Sequence, residues 1–215
     1  IGGIHPRTGI HTSFSSFGPT WDKRLKPNVC SYGHVVASGP KGYHETQGTS
    51  FSSPLVAGFA ACAWQIDTTW TNMELFELIQ RSGDLYPYFD YAHGYGVPQG
   101  SYFIDLRDGV ESAYDPNLLE FVQQDAIIKI QINEPVDTTT PLKKGRYSTS
   151  RPDHLFYHIE NRNGYLDKYY IVSPGKRIDE DEIQNPMVID KRNYQIPFTI
   201  RAFYKDTMIE LKVED

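Results

Sequence analysis

One run concentrates the chemistry of this chain: Gly48-Thr49-Ser50-Phe51-Ser52-Ser53-Pro54-Leu55-Val56-Ala57-Gly58. A serine hydroxyl attacks a carbonyl best from a tight turn that opens a helix. There the first backbone N–H groups have no partner inside the helix. The positive end of the helix dipole then faces the charge that develops during acyl transfer. Gly48 allows the close approach, Ser50 stands at the predicted helix start, and an apolar helix body anchors both. On the residues alone, Ser50 is either an acyl-transfer nucleophile or an ordinary N-cap. Pattern and composition do not separate the two.

The elements that must hold this turn follow from the flanking pattern. Ser50–Ile66 carries Phe51, Leu55, Val56, Phe59 and Trp64 with several alanines, and has no polar face. Such a helix is expected to be buried on all sides. Pro54 falls near its start, where a missing N–H costs little. A second helix is predicted from Thr71, with Glu74 completing a T-x-x-E capping box and Gly83 as the C-terminal stop. Ile1–Ile4, Thr12–Phe17 and Lys26–Val36 read as short strands, with turns at Gly18-Pro19 and Asp22. Leu85–Gln99 reads as an irregular loop outside the core.

The second half has a different texture. Ala126–Ile132 reads as a strand, and Pro135–Arg151 as a loop. His154–Ile159 and Tyr165–Val172 read as a hairpin around Asn161–Gly164, and Tyr194–Tyr204 and Thr207–Val213 as another around Lys205-Asp206. Repeated hairpins without helices predict a β-sandwich, jelly-roll-like, of about 95 residues. The expected organisation is a domain at 1–110 with α/β character and an all-β sandwich at 111–215.

The chain has 215 residues, 39% hydrophobic and 22% charged, with a net charge of −6. This fits a folded domain pair and excludes a generally basic nucleic-acid binder. No apolar run approaches the roughly 18–20 residues of a membrane helix. Residues 1–110 hold 7 Lys/Arg and 9 Asp/Glu, so the remaining charges concentrate in the second half. Cys30 and Cys62 are too few for a disulfide scaffold and make no zinc site. Two buried free thiols are expected, with a single disulfide left open. Asp179-Glu180-Asp181-Glu182 lacks EF-hand spacing and reads as a solvated loop. Tyr165, Tyr169, Tyr170, Tyr157 and Phe156 suggest an aromatic binding platform, but strand alternation sends about half of such residues into the core.

The run around Ser50 resembles the nucleophile motif of the subtilisin-like serine proteases, G-T-S-x-[AS]-x-P-x-V-A-G, at every fixed position. Phe14-Ser15-Ser16-Phe17-Gly18-Pro19-Thr20 and Leu25-Lys26-Pro27-Asn28-Val29 are similar to the stretch that precedes that nucleophile in many subtilases. Gly94-Tyr95-Gly96-Val97-Pro98 resembles the segment where those catalytic domains end. The likeness covers about residues 1–105, and the rest looks like the β-sandwich that often follows. It implies the C-terminal part of a subtilisin-like parallel sheet around a buried nucleophile helix. Ser50 matches the nucleophile, its N–H half of an oxyanion hole, and Thr49 a position whose hydroxyl supports the hole. Gly48 matches the motif's leading glycine. Phe51 occupies a position often held by an oxidisable Met, and Leu55 one often held by His.

The family order places an Asp, a His and an oxyanion Asn well before the nucleophile. Neither a D-[ST]-G nor an H-G-[TS]-x-V-A-G motif occurs here. His5, His11, His34 and His44 lack that context, and His44 reads as an exposed loop residue. The resemblance therefore implies the C-terminal segment of a serine endopeptidase, with Asp, His and Asn on a preceding segment and Ile1 at a cut site or an artificial start. Its partners would be that N-terminal part and a protein or peptide substrate, with neither nucleic acid nor a membrane span. An extracellular or periplasmic location follows from the resemblance. No cofactor or catalytic metal is expected, and structural calcium is the one allowance. The alternative is an inactive relic that acts as a binding or scaffold module through its β-sandwich.

One outcome follows directly. Residues 1–110 expressed alone should aggregate, because a partial sheet leaves an open edge and an apolar helix uncovered. A monodisperse, cooperatively melting monomer on gel filtration and calorimetry would contradict this.

Overall fold

A computed structural model describes residues 1–110, 115–134, 154–172 and 187–214. The chain divides into two units, Ile1–Ala113 and Tyr114–Asp215. The expected loop at Pro135–Arg151 and the acidic run Asp179–Glu182 lie outside the described residues.

In the first unit β1 (Gly2–Ile4) pairs in parallel with β2 (Cys30–Tyr32), Gly2 opposite Cys30 and Ile4 opposite Tyr32. Then β3 (His34–Gly39) and β4 (Gly42–Gln47) form an antiparallel hairpin that leads into α1 (Thr49–Trp64). The helices α2 (Asn72–Arg81) and α3 (Gly100–Asp108) follow. The capping box of α2 forms as the pattern requires: Thr71 Oγ1 accepts from Glu74 N, and Glu74 Oε2 accepts from Thr71 N at 2.7 Å. α3 was not expected from the pattern. Its weakly amphipathic sequence buries Phe103 against Phe59 and Trp70 and ends at Gly109, whose φ of 69° suits a left-handed C-terminal stop.

Several expectations need correction. Thr12–Phe17 is not a strand. Its hydroxyls serve the backbone of β1 instead: Ser15 Oγ accepts from Gly3 N and Thr12 Oγ1 donates to Gly3 O, each at 2.9 Å. α1 is not buried on all sides, since within it only Ser52, Val56 and Ala63 are buried while Leu55 and Trp64 are each 47% exposed. Pro54 lies beyond the first four helical N–H groups, so the bond it removes is the one that would reach the Ser50 carbonyl. Gly83 is not a left-handed stop. A side chain there would begin 2.0 Å from the Tyr95 carbonyl oxygen, so close backbone approach demands glycine. Cys30 is buried but Cys62 is exposed, so only one of the two thiols expected in the core lies there.

The largest correction concerns Leu85–Gln99. This irregular segment is core: Leu85, Tyr88, Asp90, Ala92 and His93 are buried. Its backbone is docked onto β2 and the residues before it by Cys30 N to Gly96 O and Tyr95 N to Asn28 O, both 2.8 Å. Inside it the Asp90 carboxylate accepts from the backbone of Ala92 and His93 and lies 3.0 Å from His93 Nδ1. Burial without regular structure is tolerable only when polar groups are paired in this way.

The second unit is antiparallel. One sheet runs β11 (Thr207–Val213), β10 (Phe198–Tyr204), β7 (Leu155–Glu160), β8 (Leu166–Val172). The other runs β5 (Leu119–Gln124), β6 (Ile127–Ile132), β9 (Val188–Asp190). Both expected hairpins are present. Lys205 and Asp206 both have positive φ, as a two-residue turn with the hand of the strand twist requires. Ile128, Ile130, Leu155, Tyr157, Ile159 and Ile200 belong to one buried cluster fed by both sheets. Tyr157 stacks on Tyr170 at 4.5 Å within this packing, so these two rings do not form a surface platform. β7 is buried on both faces, and on the second face Glu160 receives His158 and the Arg201 guanidinium.

Two glycines with positive φ separate strain from clash. At Gly94 a side chain would begin 2.4 Å from Asn28 O, whereas at Gly164 nothing lies within 4 Å. Gly94→Ala should therefore cost clearly more than about 1 kcal/mol and more than Gly164→Ala, read from urea midpoints.

Candidate active site

The Ser50 turn is built from backbone bonds between short elements. Gly33 N donates to Ile4 O, and Gly48 N donates to Gly33 O, each at 2.8 Å. β1 is thus tied to the turn after β2, and that turn to the residue preceding α1. Ser52 Oγ, fully buried, donates to Tyr32 O at 3.2 Å and pins the first turn of α1 onto the end of β2. Crowding explains the glycines. A side chain on Gly33 would begin 2.9 Å from the Phe14 ring, and one on Gly3 would begin 3.3 Å from the Thr49 methyl.

Gly48 has φ 149° and ψ 152°, a conformation costly for any other residue. It turns the chain sharply from β4 into α1. No side chain caps α1, and no acidic residue lies in its first turn. Ser50 is exposed in that turn, where the first helical N–H groups have no partner within the helix ladder. An anion that forms beside Ser50 meets a helix end with no competing carboxylate. The turn also answers the N-cap question: the N-cap is Gly48, and Ser50 is the second helical residue.

Of the residues singled out by the sequence, Gly48, Thr49 and Ser50 come together here by contiguity. Thr12, Gly3 and Gly33 were not singled out by the sequence, and Ser15 and Ser52 stood in its matched blocks without a role. The signal for them was partial, since Ser15 lies in the matched block but its hydroxyl partner was invisible. The histidines have neighbours of their own. His5 Nδ1 accepts from Arg7 N, and the His5 ring lies 5.0 Å from that of His34, which also packs on Phe14. His11 packs on Phe17, and His44 faces Ala37 across the hairpin, so His44 is a strand residue rather than a loop residue. Among the described residues no group of three or more His, Cys, Asp or Glu side chains is placed to hold a metal ion.

With this geometry in hand, the comparisons have a physical counterpart. Residues 1–96 match the subtilase family. The chain is 24% identical over 213 residues to the C5a peptidase of Streptococcus pyogenes serotype M6, and equally to those of serotypes M3 and M1. These matches cover 93% of this chain but 18% of the relative, so the chain spans less than a fifth of the proteins it matches.

Two imidazoles of the first unit give a pH signature. Burial, then the neighbouring imidazole, holds His5 and His11 below the ordinary histidine range. Their folded pKa lies under the unfolded value of about 6.5, so the unfolded chain binds more protons in between. Stability should be full above about pH 6.5 and should fall as pH drops through that value. The melting temperature from pH 8 to 5.5 should therefore decline, and His11→Phe, which keeps the ring packing on Phe17, should shrink the decline.

Proposed function

We propose that Ser50 is the nucleophile of a subtilisin-like serine endopeptidase, and that its Asp, His and oxyanion Asn are carried by polypeptide outside these 215 residues. The observation that carries this reading is the exposed Ser50 in the uncapped, carboxylate-free first turn of α1. The family match over residues 1–96 supports it.

Ser50 Oγ attacks the scissile carbonyl carbon and passes its proton to the imidazole base. The carbonyl oxygen becomes an oxyanion that accepts from the Ser50 backbone N–H, with Thr49 supporting the hole. Collapse expels the amine, which takes the proton back, and leaves an acyl-Ser50. Water then repeats the sequence and frees the acid. Gly48 fixes the direction of the hydroxyl, and the bonds through Gly33 keep it from drifting. The substrates are proteins or peptides outside the cytoplasm, and the residues of this site need no cofactor. Without its base the serine is a poor nucleophile. In subtilisin, the reference case, loss of the triad costs on the order of 10⁶ in turnover, so the chain by itself should turn over no peptide usefully.

A fluorophosphonate probe tests the reading on the natural full-length protein. Ser50 should carry the label by peptide mapping, and Ser50→Ala should abolish both label and proteolysis. An unlabelled Ser50 in a folded full-length protein would sink the proposal.

A further inference from the structure

Five consecutive residues, Trp21 to Leu25, are exposed in the loop that follows Gly18-Pro19. Trp21 is 102% exposed, and Phe17 and Leu25, four residues to either side, are 51% and 46% exposed. A single exposed apolar side chain is ordinary, but a wholly exposed indole between two others is an apolar patch on one loop. The loop is not slack. Gly18 N donates to Tyr91 O at 3.0 Å, Lys23 N to Thr20 O at 2.8 Å and Thr20 N to Arg24 O at 3.1 Å, while Thr20 Oγ1 accepts from Arg24 N at 2.9 Å. These bonds close a turn with Trp21, Asp22 and Lys23 at its tip. The indole packs on nothing within the chain, so it contributes nothing to the fold of the turn that carries it. The charge of the loop is opposite to that of the whole. Lys23, Arg24 and Lys26 against the one carboxylate of Asp22 leave +2 on residues 21–26, in a chain of net −6. Arg24 Nε donates to Asp22 Oδ2 at 2.7 Å, so the only acid of the loop is already bound within it.

We propose that this loop docks the protein onto the surface of an anionic lipid bilayer, with Trp21 entering the headgroup region and the basic residues beside it meeting the headgroup phosphates. The occupant follows from the pairing of an exposed indole with positive charge. The apolar body and single N–H of Trp suit the boundary between headgroups and acyl chains, and Lys and Arg next to it are drawn to an anionic leaflet. An acidic peptide would match the charge but leave much of the indole in water. A neutral apolar partner would cover the indole but strip water from the charges without replacing it. An anionic bilayer satisfies both. The closed turn holds the indole outward before contact, so little ordering is lost on docking. One turn of this size gives reversible attachment, not a permanent anchor. This surface is independent of the catalytic reading of Ser50.

The test sediments the natural full-length protein with lipid vesicles. At about 0.1 M NaCl, where charges act over about 10 Å, it should travel with vesicles of equal parts phosphatidylcholine and phosphatidylglycerol and stay in solution with phosphatidylcholine alone. At about 1 M NaCl, where that reach is about 3 Å, most of it should be released. Trp21→Ala and Lys23→Glu should each weaken the vesicle association constant about tenfold, and Trp21→Phe should retain most of it. The melting temperature should hold in all three, because both side chains are exposed at the tip of the turn. On the unaltered protein, acetylation of the Lys23 amine, mapped by mass spectrometry, should slow about tenfold when anionic vesicles are added, as a docked loop requires. That footprint needs no variant, so a substitution that fails to fold leaves it decisive. Absence of binding to anionic vesicles overturns the proposal. Equal binding to phosphatidylcholine alone, binding that survives Trp21→Ala unchanged, or a Lys23 that stays fully reactive in the vesicle-bound protein does the same. Soluble poly-glutamate bound as tightly as the vesicles, with the same dependence on Trp21, would assign the loop to an acidic polypeptide and overturn the lipid surface.

Discussion

The first unit hangs on a relay of two backbone hydrogen bonds, Gly33 N to Ile4 O and Gly48 N to Gly33 O. β1 and β2 are each three residues long and would be marginal as an isolated pair. The relay extends their order through a turn and into the start of a sixteen-residue helix. Because Gly33 uses both its N–H and its C=O, it is the point where sheet order becomes helix direction. Removing one bond would leave a part-buried amide unpaired and let the first turn of α1 rotate.

Polar side chains complete what the short strands lack. Thr12 and Ser15 satisfy Gly3, Ser52 satisfies Tyr32, and Asp90 satisfies the backbone of the 83–97 segment. Each is buried, and each would be costly without its partner. This is how a segment as irregular as Leu85–Gln99 lies inside the unit. It also explains the glycines: Gly33, Gly83 and Gly94 mark places where a ring or a carbonyl comes within 3 Å of where a β-carbon would stand. The second unit is held differently, by alternating apolar side chains from two antiparallel sheets, and needs few such devices.

Much of this was legible from pattern. The extent of α1, the capping box of α2 and the two hairpins of the second unit follow from local rules, because a cap or a two-residue turn is settled by neighbours in sequence. The misreadings share one cause. Thr12–Phe17 has strand-forming residues, but its hydroxyls are drawn to Gly3, nine to twelve residues away. α1 is apolar all round, yet burial depends on what surrounds a helix, and the described residues leave Leu55 and Trp64 half open. Gly83 reads as a stop because glycine often is one; its partner is Tyr95, across the fold.

The sequence by itself determined which residues stand together at the start of α1. Gly48, Thr49 and Ser50 are contiguous, and a serine at a helix start is a local property of three residues and the helix they open. Tertiary structure alone decided what holds and surrounds it: the Gly33 relay, the burial of Ser15 and Ser52, the core role of residues 85–99, and the register of β4 on β3. Those depend on hydrogen bonds between residues far apart in sequence and on the parity of a ladder. A one-residue slip of β4 along β3 would exchange which of its residues face each side without altering a single letter.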